Sequence, residues 1–295
     1  MKTFRSQRGV SLIELLVSMV IGLVVVGAIV VNYTSTGATS ARQTALGQMG
    51  EDAQLAFNLL ARDLQMAGYS EPTKIDAAAT TFTKIYSGRP MFACATPMVN
   101  PKVALSGSKE DGVTCTAAGP SVSTATHALV VNYQGTNANA VLNAANVPTN
   151  CLGSEAIAMT TVGPPVYNYR FVSNRYYVDT SGTTGRPELK CAAPGEDGQP
   201  LIENVEAMRI SLGQADAANP RRPVRYVAPD QLVGGDWGTV VAVRICLLMR
   251  SSEKLLAAED DNKYIDCSGA EVASADGRLR RAFYSTVALR NKTAF

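Results

Sequence analysis

Hydrophobic and polar positions change rhythm along this chain. The head is basic, with Lys2, Arg5 and Arg8 and no acid before Gly9. From Val10 to Val31 the run is apolar, and Glu14 is its one charged side chain. A spanning helix takes about 20 such residues, so residues 10–31 are expected to cross a membrane with the basic head on the cytoplasmic side. The pattern then becomes that of an amphipathic helix. At about 100° per residue, Leu46, Met49, Ala53, Phe57, Leu60, Leu64 and Ala67 share one face. Glu51, Gln54, Asn58, Arg62 and Gln65 fall opposite. Leu55 and Leu59 lie off the stripe, as surface leucines or as contacts to other subunits. Gly68 is a natural stop, and Pro72 prevents resumption. A long N-terminal helix within residues 10–70 is the expectation, running from Val10 to about Ala67, roughly 85 Å at 1.5 Å per residue. Gly22, Gly27, Gly37, Gly47 and Gly50 weaken it, each by about 0.8–1 kcal/mol in water. Gly22 and Gly27 are either a place to bend or ordinary small residues of a membrane helix.

Beyond residue 71 the helical period fades and short alternating segments replace it. His127 to Tyr133 reads as a strand. Tyr167, Tyr169 and Phe171 point to one face, and Met208, Ile210 and Leu212 alternate with Arg209 and Ser211. Val241, Val243, Ile245, Leu247 and Met249 share a face opposite Arg244 and Arg250, and Phe283, Ser285, Val287 and Leu289 align in a last strand. These are expected to be half-buried antiparallel strands. The helix stripe would cover one sheet face, giving an α+β domain over residues 71–295. Residues 73–120 and 135–164 read as loop-rich, and 180–200 as a turn-rich connection.

Glu14 is the anomaly of the first segment. A charge deep in a bilayer costs about 2.5–3.5 kcal/mol on insertion scales, and a buried carboxylate is tolerable only when paired. An ordinary signal peptide has an apolar region of roughly 7–15 residues followed by a small-residue cleavage site. Here the run is longer, and the candidate site Ala38-Thr39-Ser40-Ala41 lies well past Val31. A plain signal anchor leaves Glu14 without a task. Gly9, the apolar run and the offset acid together resemble the type IV pilin family, whose precursors carry a basic leader ending in Gly and a helix with Glu at the fifth mature position. Residues 1–9 match the leader, Val10 the first mature residue and Glu14 the fifth. Val10 departs from the family, which most often has an aromatic residue there.

That resemblance implies cutting between Gly9 and Val10 by prepilin peptidase, an aspartyl enzyme of the membrane. It implies methylation of the new Val10 amine. It also implies that Glu14 pairs with the amine of a neighbouring subunit as the helix leaves the membrane for a filament core. Further stretches are similar to the PilW-type minor pilins, themselves related to the J-type minor pseudopilin of type II secretion. These are Leu60 to Tyr69, Ile202 to Glu206, Val240 to Ile245 and Thr286 to Asn291. The implied role is a low-abundance subunit that primes pilus assembly and supports twitching motility. Its implied partners are other minor and major pilins, the peptidase, an inner-membrane assembly platform and a tip adhesin. Its implied location is the bacterial inner membrane, single-pass with a periplasmic C-terminal domain, and then a surface pilus. A type II secretion pseudopilin, or a tip adhesin or DNA-uptake subunit, remain alternatives.

The six cysteines, Cys94, Cys115, Cys151, Cys191, Cys246 and Cys267, all follow the apolar run. An even number beyond a membrane anchor suits periplasmic disulfides. Pairing in chain order is expected, since each bond would staple one loop-rich segment. No Cys-x-x-Cys occurs and His127 is the sole histidine, so neither a metal site nor any cofactor is expected. The acidic run Glu259, Asp260, Asp261 and Asn262 does not follow a calcium-loop order. The chain is net +2, but without the three basic residues of the leader it is 24 against 25, or −1, which leaves no general attraction to nucleic acid. Arg221, Arg222 and Arg225, and Arg278, Arg280 and Arg281, are read as solvated faces or ion pairs. No phosphate loop, Gly-x-Ser-x-Gly or dinucleotide motif is present, and an enzyme is not expected.

Overall fold

In the computed structural model, which describes residues 9–74, 82–105, 112–118, 126–161, 165–232, 234–256 and 262–292, helix α1 runs from Leu12 to Met66. The part through Gly47 is one unit, and the chain from Gln48 onward is a second that holds all the strands. Gly22 and Gly27 lie inside the helix with nothing within 4 Å of a would-be Cβ. In the second unit the amphipathic stripe is the buried face. Met49, Ala53, Phe57, Leu60, Leu64 and Ala67 are buried, Leu46 is half-buried, and Glu51, Gln54, Asn58 and Arg62 are exposed. Ala56 and Asp63 are buried too and widen the stripe. Leu55 is exposed and Leu59 half-buried.

The helix ends where Gly68 takes a φ of 70°. Its N–H donates to the Asn132 carbonyl at 2.8 Å instead of continuing the helix. A Cβ at Gly68 would stand 2.7 Å from the Cβ of Pro90, so both backbone and space demand glycine.

Strands β1 (Pro72–Lys74) and β2 (Phe82–Lys84) form a short ribbon. Strands β3 (Met91–Cys94), β4 (Ala128–Gly135), β5 (Ile157–Thr160), β6 (Asn168–Thr180), β7 (Pro187–Ala193) and β8 (Glu196–Glu203) form a six-stranded sheet in the order β3-β4-β6-β7-β8, with β5 also on β6. Then follow β9 (Val205–Gln214), β10 (Arg225–Val227), β11 (Val240–Lys254), the ribbon β12 (Lys263–Ile265) with β13 (Glu271–Ala273), and β14 (Arg278–Ala288). The second large sheet is ordered β10-β9-β11-β14. All pairings are antiparallel, and the fold is α+β. Instead of one sheet, α1 meets two. Asp63 contacts β4 and β6, while a Cβ at Gly50 would touch the Phe283 ring of β14 at 4.0 Å.

Residues 180–200 are not a turn-rich connection. They contain most of the β7–β8 hairpin, which turns at Gly195 (φ 81°), preceded by the β6–β7 turn at Gly185 (φ 65°). The stretch is dense in Pro, Gly and charge, which hides Leu189, Cys191 and Ala193 alternating inward. Asn204, at φ 61°, reverses the chain between β8 and β9.

Strand β4 is buried at every position rather than half-buried. Residues 95–105 and 112–118 explain this. They cover the sheet face away from the helix and form a satellite core in which Met98, Val113 and the Cys94–Cys115 pair meet Ala128 and Val130. Arg175 pins that cover. It is wholly buried, and its Nη1 donates to the carbonyls of Pro101 and Val103 at 2.7 and 2.6 Å. Residues 259–261, the acid members of the run considered above, lie outside the described residues.

Gly68→Ala is expected to destabilise the detergent-solubilised protein by about 1–3 kcal/mol, from left-handed strain plus overlap with Pro90. Urea denaturation measures this, and an unchanged midpoint would contradict the account of the helix stop.

Candidate assembly site

Gly9 and Val10 precede the helix, and the Ser11 carbonyl accepts the Leu15 N–H at 3.2 Å to close the first turn. Glu14 falls in that turn. A carboxylate there complements the positive end of the helix dipole, whose first N–H groups have no intrahelical acceptor. Around it Val10, Leu12, Ile13, Leu15 and Leu16 are all exposed, and exposed apolar residues continue to Tyr33. An 18-residue window of this helix has mean hydropathy 2.7 and none of it is buried. Water does not tolerate so large a contiguous apolar surface; a membrane or other apolar helices must cover it. The polar residues within it are self-contained. Ser18, Asn32 and Thr34 each donate to a helix carbonyl three or four residues back, which silences them in an apolar medium.

The helix is fixed to its domain by a second acid. Asp63 is buried, and its carboxylate accepts from Tyr176 Oη at 2.6 Å, from Asn174 Nδ2, and more weakly from Tyr133 Oη at 3.5 Å. Asn174 and Tyr176 share a face of β6, and Tyr133 stands beside them on β4. Asn174 Oδ1 in turn accepts the Cys151 N–H at 2.9 Å, which links the helix to the Cys151–Cys191 bond. Burial is the largest influence on Asp63 and raises its pKa above the ordinary 3.8; the three donors and the Arg62 charge pull it back. Burial, reinforced by Asp63, likewise raises both tyrosine hydroxyls well above their usual range, so they stay protonated donors. The signal in the sequence was spacing: Leu60, Asp63 and Ala67 lie at i, i+3 and i+7, a core-facing set.

The cysteines close as Cys94–Cys115, Cys151–Cys191 and Cys246–Cys267, and none is free. They fasten residues 112–118 of the cover to β3, the β4–β5 connection to β7, and the turn after β12 to β11. Loops of 21, 40 and 21 residues correspond to roughly 3–4 kcal/mol each in the chain-entropy account. The Arg278–Arg281 cluster is used internally. Arg280 binds Glu206 through Nε and Nη2 at 2.6 and 2.7 Å, and Asp276 through Nη1 and Nη2 at 2.6 and 2.9 Å. Its hydrogen bond to Asp276 holds that carboxyl well below the usual range. Arg278 donates to the Ser251 and Ser252 carbonyls, and Arg281 lies over the Phe283 ring at 5.4 Å. Arg221 and Arg222 are exposed, while Arg225 Nε donates to Gln214 at 2.8 Å.

An exposed apolar helix with an acid in its first turn, carrying a disulfide-stapled β domain, defines a membrane-anchored subunit of the pilin kind. Residues 4–30 match the prokaryotic N-terminal methylation motif, and residues 175–291 match the family described as Type IV Pilus-assembly protein W. Over these two stretches the chain is similar to type IV pilin-like proteins of the PilW kind. Among solved structures, a type IV-like pilin, TTHA1219 from Thermus thermophilus, is similar at 15% identity over 83% of this chain and 98% of that one, with a TM-score of 0.39. No curated protein matches.

Asp63→Ala strands the Tyr133, Asn174 and Tyr176 donors and is expected to cost about 3 kcal/mol, read from urea denaturation. The pH dependence has a definite sign. Between 3.8 and the raised value, folded Asp63 holds a proton that the unfolded chain has released. It therefore adds stability as pH falls through the folded pKa, and the gain is complete below the unfolded one. Wild type should gain on Asp63→Asn as pH falls through the raised folded value towards 3.8; parallel stability curves would contradict the assignment.

Proposed function

We propose that this protein is a minor type IV pilin, made with leader 1–9, cut between Gly9 and Val10 and methylated on Val10. It enters filaments at low abundance, primes their assembly with other minor and major pilins, and supports twitching motility. Its work is structural rather than catalytic. Residues 10–31 hold it in the inner membrane, with the domain in the periplasm, until extraction by the assembly platform.

The observation that carries this reading is Glu14 in the first turn of a wholly exposed apolar helix. A carboxylate packed among apolar helices needs a cation, because an unpaired buried charge is costly. Cleavage after Gly9 creates one in every subunit, the Val10 amine. One acid and one amine per subunit satisfy each other only at a fixed stagger, so the pair supplies both stability and axial register. The match at residues 175–291 supports the PilW-type role within the filament.

N-terminal sequencing and intact mass of the native protein should give a chain starting at Val10 with one added methyl. A retained leader, or trimming near Ala41, would overturn the proposal. Glu14→Ala should leave cleavage intact and reduce filament-incorporated subunit by about tenfold or more, the factor that accompanies roughly 1.4 kcal/mol. Wild-type incorporation would remove Glu14 from the role. Deletion should abolish twitching; loss of secreted enzymes with normal twitching would assign the subunit to a secretion pseudopilus instead.

A further inference from the structure

A cavity of about 540 Å³ opens between the edge of β3, His127 just before β4, strand β9, residues 228–232 and Trp237. That volume is typical of small-molecule sites, and nothing in the assembly role uses it. Its back wall is His127, the chain's one histidine and 2% exposed. The His127 N–H donates to the Met208 carbonyl at 2.7 Å, and Nδ1 accepts the Ile210 N–H at 3.0 Å, so the residue stitches β4 to β9. Accepting at Nδ1 places the neutral ring's proton on Nε2, the edge that the backbone does not use. Burial, with help from Arg209, holds the His127 pKa at about 4, so the ring stays a neutral donor at physiological pH.

The side wall is aromatic. The rings of Phe92 and Trp237 stand 5.2 Å apart with their planes at 43°. Arg209 and Asp230 also line the cavity. The Arg89 guanidinium packs over both rings, 5.1 Å from the Phe92 centroid and 5.9 Å from that of Trp237, so its charge is engaged by the ring faces it covers. The lining offers ring faces for an apolar surface, donors from His127 and Arg209, and a carboxylate acceptor from Asp230. A ring that is flat on one side and carries hydroxyls around its edge presents the complementary set, because each hydroxyl both donates and accepts.

We propose that this cavity binds an uncharged sugar unit, its ring against Phe92 and Trp237 and its hydroxyls between Asp230, Arg209 and His127. The site stands apart from the helix and does not depend on the pilin reading.

Trp237 is the chain's one tryptophan, so its fluorescence reports on this cavity alone. The full-length protein, in a detergent without a sugar headgroup, is titrated with glucose, galactose, mannose and N-acetylglucosamine, and with benzoate as an anionic aromatic control. At least one sugar should give a saturable emission shift. Asp230→Asn, at an exposed position, should weaken that response by about tenfold or more, as loss of a hydrogen bond to a charged group does. Arg209→Gln should weaken it in the same direction. No saturable response to any of the four sugars, a response to benzoate alone, or sugar affinity unchanged in both variants would each overturn the proposal.

Discussion

One helix has to satisfy two surroundings, and the rest of the molecule follows from how it does so. Through Val31 the helix has no core of its own and presents apolar side chains on every face. From Gln48 onward the same helix is the centre of a core, with apolar residues confined to a stripe. The change is made by sequence, through where charge is admitted. The run to Val31 admits a single acid at its start, and the part from Gln48 admits charge on the solvent face plus one acid, Asp63, facing inward.

Two carboxylates therefore do related work on one helix. Asp63 is held by neutral donors from its own domain, so it fixes the helix to β4 and β6. Glu14 has apolar neighbours of its own chain around it, so in the proposed filament its partner comes from another subunit. The first arrangement is complete within one chain, and the second is completed by assembly. This division suits a subunit that must be folded before it is incorporated.

The helix stripe, its stop at Gly68 and the strands at β4, β9, β11 and β14 were legible because apolar periodicity dominated their sequences. The β7–β8 hairpin was not, because Pro187, Gly195 and alternating acids make a two-sided strand look like a loop. Asp63 was missed because periodicity counts apolar residues, and a buried acid is invisible to it until its tyrosine and asparagine donors are placed by distant strands. Division into two sheets was equally hidden, since each strand shows which face is apolar but not which neighbour covers it. Glu14 and Gly9 were conspicuous for the opposite reason: their meaning lies in local spacing and needs no tertiary fold.

The cover over the outer sheet face has a consequence of its own. Arg175 grips it through the carbonyls of Pro101 and Val103, groups that every amino acid possesses. The path of the cover is thus prescribed by main chain and by a sulfur bridge, with Asn100 Oδ1 accepting the Lys102 N–H at 3.2 Å and Lys102 Nζ reaching Asp197 at 2.7 Å, while the exposed side chain of Val99 is not. The anchor points of the cover therefore tolerate replacement of neighbouring side chains, because carbonyls and a bridge, not residue identity, hold its course.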